Sequence, residues 1–135
     1  MNTARDKARE EILLDGLVDS VNLAAVDWHV RQQNPSASDS DIRNETLETI
    51  RSLASDGLVE TGYRAEDGHF VPESLDRSMQ ELHDSYMTHY EEPGEWMWSC
   101  WLKLTEVGNQ FALSTEKGKQ IARHEEERKT ALGNE

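Results

Sequence analysis

The chain has 135 residues, of which 36% are hydrophobic and 30% are charged, and its formal net charge is −13. This length predicts one small domain with a modest core, and so large an acidic excess repels phosphate backbones while attracting basic proteins. Cys100 is the only cysteine, which excludes an intramolecular disulfide. No apolar run approaches the roughly 18 residues that span a bilayer, so we predict a cytoplasmic protein that does not enter a membrane.

The first half of the chain has the pattern of helices. From Ala4 to about Gln33 apolar residues recur at three- and four-residue steps, which predicts one long helix or two shorter ones with a bend at Asn22. A proline ends this pattern, because the residue before a proline is pushed out of the helical region. Ser38 then has the position of an N-cap for a second helix over Asp39–Asp56, and Gly57 has the left-handed position after it.

The second half alternates strands with helices. The pattern predicts a strand over Leu58–Tyr63, a turn, a helix from Ser74 to about Tyr90 and a second strand over Trp96–Leu104. Thr105 is predicted to cap a further helix that runs to Leu113. The remainder, Ser114–Glu135, is charged and thinly apolar, so we expect a helical or frayed tail.

These elements predict a mostly helical α+β fold. A lone strand cannot satisfy its backbone groups, so the two predicted strands should pair as a two-stranded antiparallel sheet, with helices on one face and a helical insertion between the strands. We expect one domain over residues 1–113 and a tail over residues 114–135.

Two segments carry a resemblance to a known family. Ile50–Glu60 looks like the end of a winged-helix recognition helix entering its first wing strand, and Trp101–Gly108 is similar to a second wing strand entering a closing helix. Together with the first helix they cover roughly residues 10–113. The chain thus resembles the winged-helix (winged helix-turn-helix) superfamily, and also a group of short actinobacterial winged-helix-like proteins with a helix inserted in the wing. The narrower resemblance implies the fold and little about activity.

The superfamily resemblance implies an alternative function as a DNA-binding transcriptional regulator, expected to be a homodimer. The helix Asp39–Asp56 would then enter the major groove, with Arg43, Asn44 and Arg51 reading or positioning the DNA. The same helix, however, carries five acidic residues, Asp39, Asp41, Glu45, Glu48 and Asp56. No clear short helix and tight turn precede it, and a long acidic insertion, His69–Glu95, replaces the wing. The chain also lacks the concentrated basic patch that DNA binders need.

The sequence contains no pattern for catalysis or for metal binding. His83 and His89 are six residues apart and would lie on different faces of a helix, and no His-Glu-x-x-His or Cys/His pairing occurs. Neither a Gly-x-Ser-x-Gly nucleophile motif nor a glycine-rich phosphate loop is present. We therefore predict a protein that is not an enzyme, with no catalytic residues, no cofactor and no metal.

The tryptophans indicate a binding surface instead. Trp96, Trp98 and Trp101 cannot all share one face of a strand, so one face of the sheet would either present a tryptophan or be covered by the tail or the insertion. Tryptophan is enriched at interface hot spots. We predict a module that binds a protein, a basic one being favoured by charge, as a regulator, adaptor, immunity protein or inhibitor would; its oligomeric state stays open. The predicted partner-binding residues are Tyr63, Glu91, Glu92, Glu95, Trp96, Met97 and Trp101.

Overall fold

A computed structural model describes residues 3–133. Its helices are α1 (Ala4–Gly16), α2 (Leu23–Gln33), α3 (Asp39–Ser55), α4 (Leu75–Leu82), α5 (Pro93–Trp96), α6 (Glu106–Leu113) and α7 (Glu116–Gly133). Its strands are β1 (Val21–Asn22), β2 (Val59–Arg64), β3 (Phe70–Glu73) and β4 (Trp101–Leu104). The predicted α+β class and the largely helical content are confirmed.

The sheet contains the predicted antiparallel pair and two more strands. Its order is β1-β4-β2-β3, and β2 pairs with β4 in the register that places Gly62 opposite Trp101. The two-stranded prediction is wrong in number, because β1 joins the outer edge of β4 and β3 joins the outer edge of β2. β1 has only two residues, too few for a pattern, and Pro72 argues against a strand at β3. Proline is tolerated there because β3 is an edge strand.

The helices of the first half begin and end close to the predicted residues. The first stretch is two helices, and the break falls at Asn22, whose side chain accepts a 2.8 Å hydrogen bond from the backbone of Ala25. Ser38 caps α3 by accepting from the backbone of Asp41. Gly57 follows α3 with a φ of 74°, the left-handed conformation that favours glycine.

The segment between β3 and β4 is less regular than predicted. Its helix stops at Leu82 and continues as a π-helical turn over His83–Met87. The predicted strand Trp96–Leu104 begins only at Trp101, because Pro93 opens the short helix α5, which ends at Trp96. A turn over residues 97–99 therefore replaces the alternation of a strand.

The core lies between one face of the sheet and the helices α1, α2 and α3. Leu102 from β4 is buried there, together with a set of aliphatic side chains from the three helices: Ile12, Leu13, Leu23, Val26, Ile50 and Leu53. Helix α7, which begins just inside the predicted tail, touches this body near its first turns, where Gly118 is buried. In the described part of the chain, no helix is both long and apolar enough to cross a membrane.

Candidate functional site

The site lies on the face of the sheet that points away from the core. In β4, Leu102 and Leu104 are buried, so the alternating residues Trp101 and Lys103 point to the opposite face. Gly62 faces Trp101 across the pair of strands. An added Cβ at Gly62 would lie 2.1 Å from the carbonyl oxygen of Val71, so only glycine fits at this position.

Two tryptophans and an arginine form a stack on this face. The rings of Trp98 and Trp101 stack with centroids 5.7 Å apart and an angle of 19° between their planes. The guanidinium carbon of Arg64 lies 4.2 Å from the centroid of the Trp101 ring, a cation–π contact. Trp98 is 55% exposed, whereas Trp101 is only partly exposed. We call Trp98, Trp101 and Arg64 the tryptophan stack.

Hydrogen bonds that Arg64 donates to the loop between α1 and β1 hold its side chain in place. Its Nε donates to the hydroxyl of Ser20 at 3.0 Å, and its Nη2 donates to Oδ1 of Asp19 at 2.6 Å. The bond from Arg64 lowers the pKa of the Asp19 carboxyl, so this carboxylate stays ionised. A fixed guanidinium positions the Trp101 ring, and through it the exposed ring of Trp98.

An open cleft of about 360 Å³ adjoins Arg64. Arg64 and Lys103 line it with Asp19 and Phe70, beside the ends of α1 and α6. The Nζ atom of Lys103 lies 6.0 Å from the centroid of the Phe70 ring. The cleft therefore extends the outer face beyond the tryptophan stack with side chains that are both polar and aromatic.

A buried polar network fixes the segment that leads to the stack. Tyr86, in the π-helical turn, donates to Oδ2 of Asp27 on α2 at 2.5 Å, and Tyr90 donates to the same atom at 3.1 Å. Burial, and then the Asp27 carboxylate, raise the pKa of both tyrosines, so both stay protonated donors. The ring of Trp96 stacks on Tyr90 at 5.5 Å, and its Nε1 donates to the Tyr90 carbonyl. Hydrogen bonds thus attach the insertion to α2 at residues that shortly precede Trp98 in the sequence.

The acidic residues at the exit of the insertion are exposed. Glu91, Glu92 and Glu95 all face solvent. Glu92 pairs with His89 at 3.1 Å, and within the described side chains neither Glu91 nor Glu95 has a basic partner within ion-pair distance. These carboxylates therefore place negative charge in the segment of the chain that immediately precedes Trp98.

The predicted partner-binding set is brought together only in part. Trp101 and Met97 are partly exposed, but Trp96 is only 6% exposed and packs in the core, so the structure does not place it on an exposed surface as predicted. Tyr63 is exposed but shares the face of Val59 and Thr61, opposite to Trp101, so it lies apart from the tryptophan stack.

The prediction also missed residues that form the stack. In the sequence, Trp98 continues the alternation of Cys100, Leu102 and Leu104, which would place it on their face of a strand. The turn before β4 exposes Trp98 instead. Arg64 and its partners Asp19 and Ser20 carry no local signal, because the strand register brings Arg64 to Trp101 and the loop before β1 brings Asp19 and Ser20 to Arg64. The cationic end of the stack therefore could not be predicted from spacing.

The three residues of the DNA alternative have different environments. Arg43 is partly buried, donates to the Met87 carbonyl at 3.3 Å and lies 5.0 Å from the Tyr90 ring. Asn44 and Arg51 are exposed, and Arg51 pairs with Glu48 at 3.8 Å. The exposed residues of α3 are Asp39, Ser40, Asp41, Asn44, Glu48, Arg51 and Ser55. This exposed surface has more acidic than basic residues.

Metal-ligating side chains and the thiol of Cys100 bear on the question of catalysis. Among them, no group of three or more histidine, cysteine or acidic side chains is placed to hold a metal ion. Cys100 is 3% exposed, and burial raises the pKa of its thiol to about 12, so the thiolate needed for a nucleophile is scarce at neutral pH.

Comparison with known proteins adds no relative to this description: no family model, no curated protein and no solved structure matches the chain.

Proposed function

We propose that the chain is a non-enzymatic, winged-helix-type module that binds a protein through the tryptophan stack and the neighbouring acidic exit of the insertion. The observation that carries this proposal is that Trp98 is 55% exposed while its ring is held in place by stacking on Trp101. A large aromatic side chain costs little entropy on binding when it is positioned beforehand. Exposed tryptophans of this kind are typical of interface hot spots.

The order of the elements supports the winged-helix part of the proposal. A helix, a short strand and two helices precede the β2–β4 pair, and the short strand β1 lies beside β4. Helix α6 then closes the domain after β4. The insertion β3–α4–α5 occupies the place of the wing tip, as in the group of proteins that the sequence resembles.

The charge distribution favours a protein over DNA as the partner. Of the predicted DNA-reading residues, Arg43 is engaged with Met87 and Tyr90 of the insertion, and Arg51 pairs with Glu48. DNA affinity comes largely from neutralised phosphates, and a face with more acids than bases lacks that contribution. A protein partner has no such requirement, and a basic one would approach faster because of the field.

A matched pair of tryptophan variants tests the proposal. Trp28 on α2 is 56% exposed, almost the same as Trp98 at 55%, but does not belong to the stack. The tagged protein, Trp98→Ala and Trp28→Ala would each be used to capture partners from a nuclease-treated lysate of the source cells. We expect Trp98→Ala to lose the captured protein and Trp28→Ala to keep it. Equal capture by both variants would refute the assignment of the surface.

A gel-shift titration with mixed DNA fragments at low and moderate salt tests the alternative. We expect no shift at low salt. Steep, salt-dependent binding that Arg51→Ala weakens would instead favour the DNA-binding regulator.

A further inference from the structure

We infer that the partner presents an arginine side chain to the exposed face of Trp98, so that it extends the stack with a second guanidinium. This inference rests on the proposed function and names the chemistry of the group that the stack receives. One guanidinium, that of Arg64, already lies 4.2 Å from the ring of Trp101. Trp98 is the other ring of the pair and is 55% exposed.

The geometry of Trp98 favours a planar cation. An indole face is the best aromatic receptor for a cation, because its quadrupole is negative above the ring. Across residues 3–131, the rings that have a lysine or arginine over them are Tyr90, Trp101 and Phe70, and the ring of Trp98 is not among them. No described lysine or arginine lies over the Trp98 ring, and its exposed part is therefore accessible to a cation from outside the chain.

The charge around the stack supplies the second part of the argument. The segment 73–95 carries seven acidic residues and one basic residue. Glu91 and Glu95 are exposed and have no basic partner within the described side chains. Glu95 precedes Trp98 by three residues, across the turn that exposes the indole. A cation bound to Trp98 would thus lie three residues along the chain from a carboxylate that pairs with no described basic side chain.

Arginine suits this combination better than lysine. A guanidinium is planar, stacks on aromatic rings, is weakly hydrated and forms paired hydrogen bonds with a carboxylate. An ammonium is strongly hydrated and acts as a point charge, so its transfer from water to the aromatic ring costs more desolvation free energy. Attraction by net charge alone would not distinguish the two, and this difference makes the inference testable.

The test follows the four indole N–H signals of the ¹⁵N-labelled full chain by NMR. The probes are three capped peptides that alternate glycine with arginine, with lysine or with glutamate. We expect the arginine peptide to shift the Trp98 signal, assigned from its loss in Trp98→Ala, and to bind about threefold more tightly than the lysine peptide. The signal of Trp28 should stay unchanged. Equal affinity for the arginine and lysine peptides, or no shift at Trp98, would overturn the inference.

Two further variants separate stacking from charge. Trp98→Phe keeps a smaller aromatic ring and should retain binding with a loss of about two- to threefold, as a weaker cation–π receptor does. Glu95→Gln should weaken binding of the arginine peptide more than Glu66→Gln, which removes an exposed carboxylate from the hairpin turn. An equal loss in the two glutamine variants would contradict the role of Glu95.

The outcomes distinguish this inference from the proposed function. If Trp98→Ala abolishes capture of the cellular partner but the arginine peptide does not bind, the proposed binding surface is supported and the inference of a partner arginine is refuted. If Trp98→Ala leaves capture unchanged and no peptide binds, both proposals fail.

Discussion

Replacing Tyr86 by phenylalanine tests whether the buried polar network holds the insertion to the helices. Tyr86 is 0% exposed, and its hydroxyl donates to the Asp27 carboxylate at 2.5 Å. Phenylalanine keeps the ring and its contact with Trp96, whose centroid lies 4.8 Å away, and removes only the hydroxyl. The change in the free energy of unfolding therefore reports the hydrogen bond and not a cavity.

The magnitude follows from what Asp27 retains in the variant. A hydrogen bond to a charged group contributes about 1.5–3 kcal/mol. Asp27 would keep Tyr90 at 3.1 Å and Arg31 at 3.7 Å, so its charge would not be left without a partner. The lower part of the range applies, and we expect Tyr86→Phe to reduce stability by about 1.5–2 kcal/mol. For a chain of this size that lowers Tm by roughly 5–10 °C.

Urea unfolding followed by far-ultraviolet circular dichroism measures the change. We expect the midpoint to fall by roughly 1 M while the slope stays constant, because the surface exposed on unfolding is the same. Tyr63→Phe is the matched control, since Tyr63 is 42% exposed and its hydroxyl makes no hydrogen bond within the described residues. A loss in Tyr86→Phe no greater than in Tyr63→Phe would refute the role of the network.

Three further predictions concern the scaffold. Gly108→Ala should destabilise by about 1–3 kcal/mol in the same urea assay, because the new Cβ would lie 2.0 Å from the backbone oxygen of Leu58; an unchanged midpoint would contradict this packing. Cys100 should react with a thiol reagent at pH 8 only as fast as the protein opens, since burial raises its pKa to about 12; immediate labelling of the folded protein would show that it is accessible. Arg5 lowers the pKa of the Glu45 carboxyl below the ordinary value of 4.5. Because the pKa is lower in the folded state, this stabilisation is fully present above about pH 4.5 and disappears as pH falls through the lowered value. Glu45→Gln should therefore be less stable than the parent chain at pH 7 and equal to it in strong acid, and a difference that persists there would refute the assignment.

Local signals in the sequence were sufficient for much of the fold. Asn22, Ser38 and Gly57 mark helix ends through their own backbone and side-chain chemistry, and the structure confirms all three. The β2–β4 pairing could also be predicted, because two strands without other partners must satisfy each other's backbone groups. Such predictions succeed where the physical cause lies within a few residues.

The failures occur where the cause is distant or non-periodic. A continuous strand would place Trp96 and Trp98 on one face, whereas Trp96 is buried and Trp98 is exposed because α5 and the following turn interrupt that strand. The alternation of apolar residues cannot show such an interruption, although Pro93 is a residue that commonly begins a helix. The link from Arg64 to Trp101 depends on strand register and on the loop at Asp19, and neither is visible in a linear pattern.

The insertion bears on both functional hypotheses for this chain, protein binding and DNA binding. By docking on α3 it engages Arg43, which lies against Tyr90 and donates to Met87, and so it withdraws a cation that a DNA-reading helix would use. Its hydrogen bonds to Asp27 on α2 also fix the chain just before the exposed carboxylates and the turn at Trp98. The segment between β3 and β4 thus weakens the case for phosphate recognition and positions an acidic, aromatic surface. If that surface is the binding site, function in this domain belongs to the insertion and its exit and not to the helix that the winged-helix resemblance would first select.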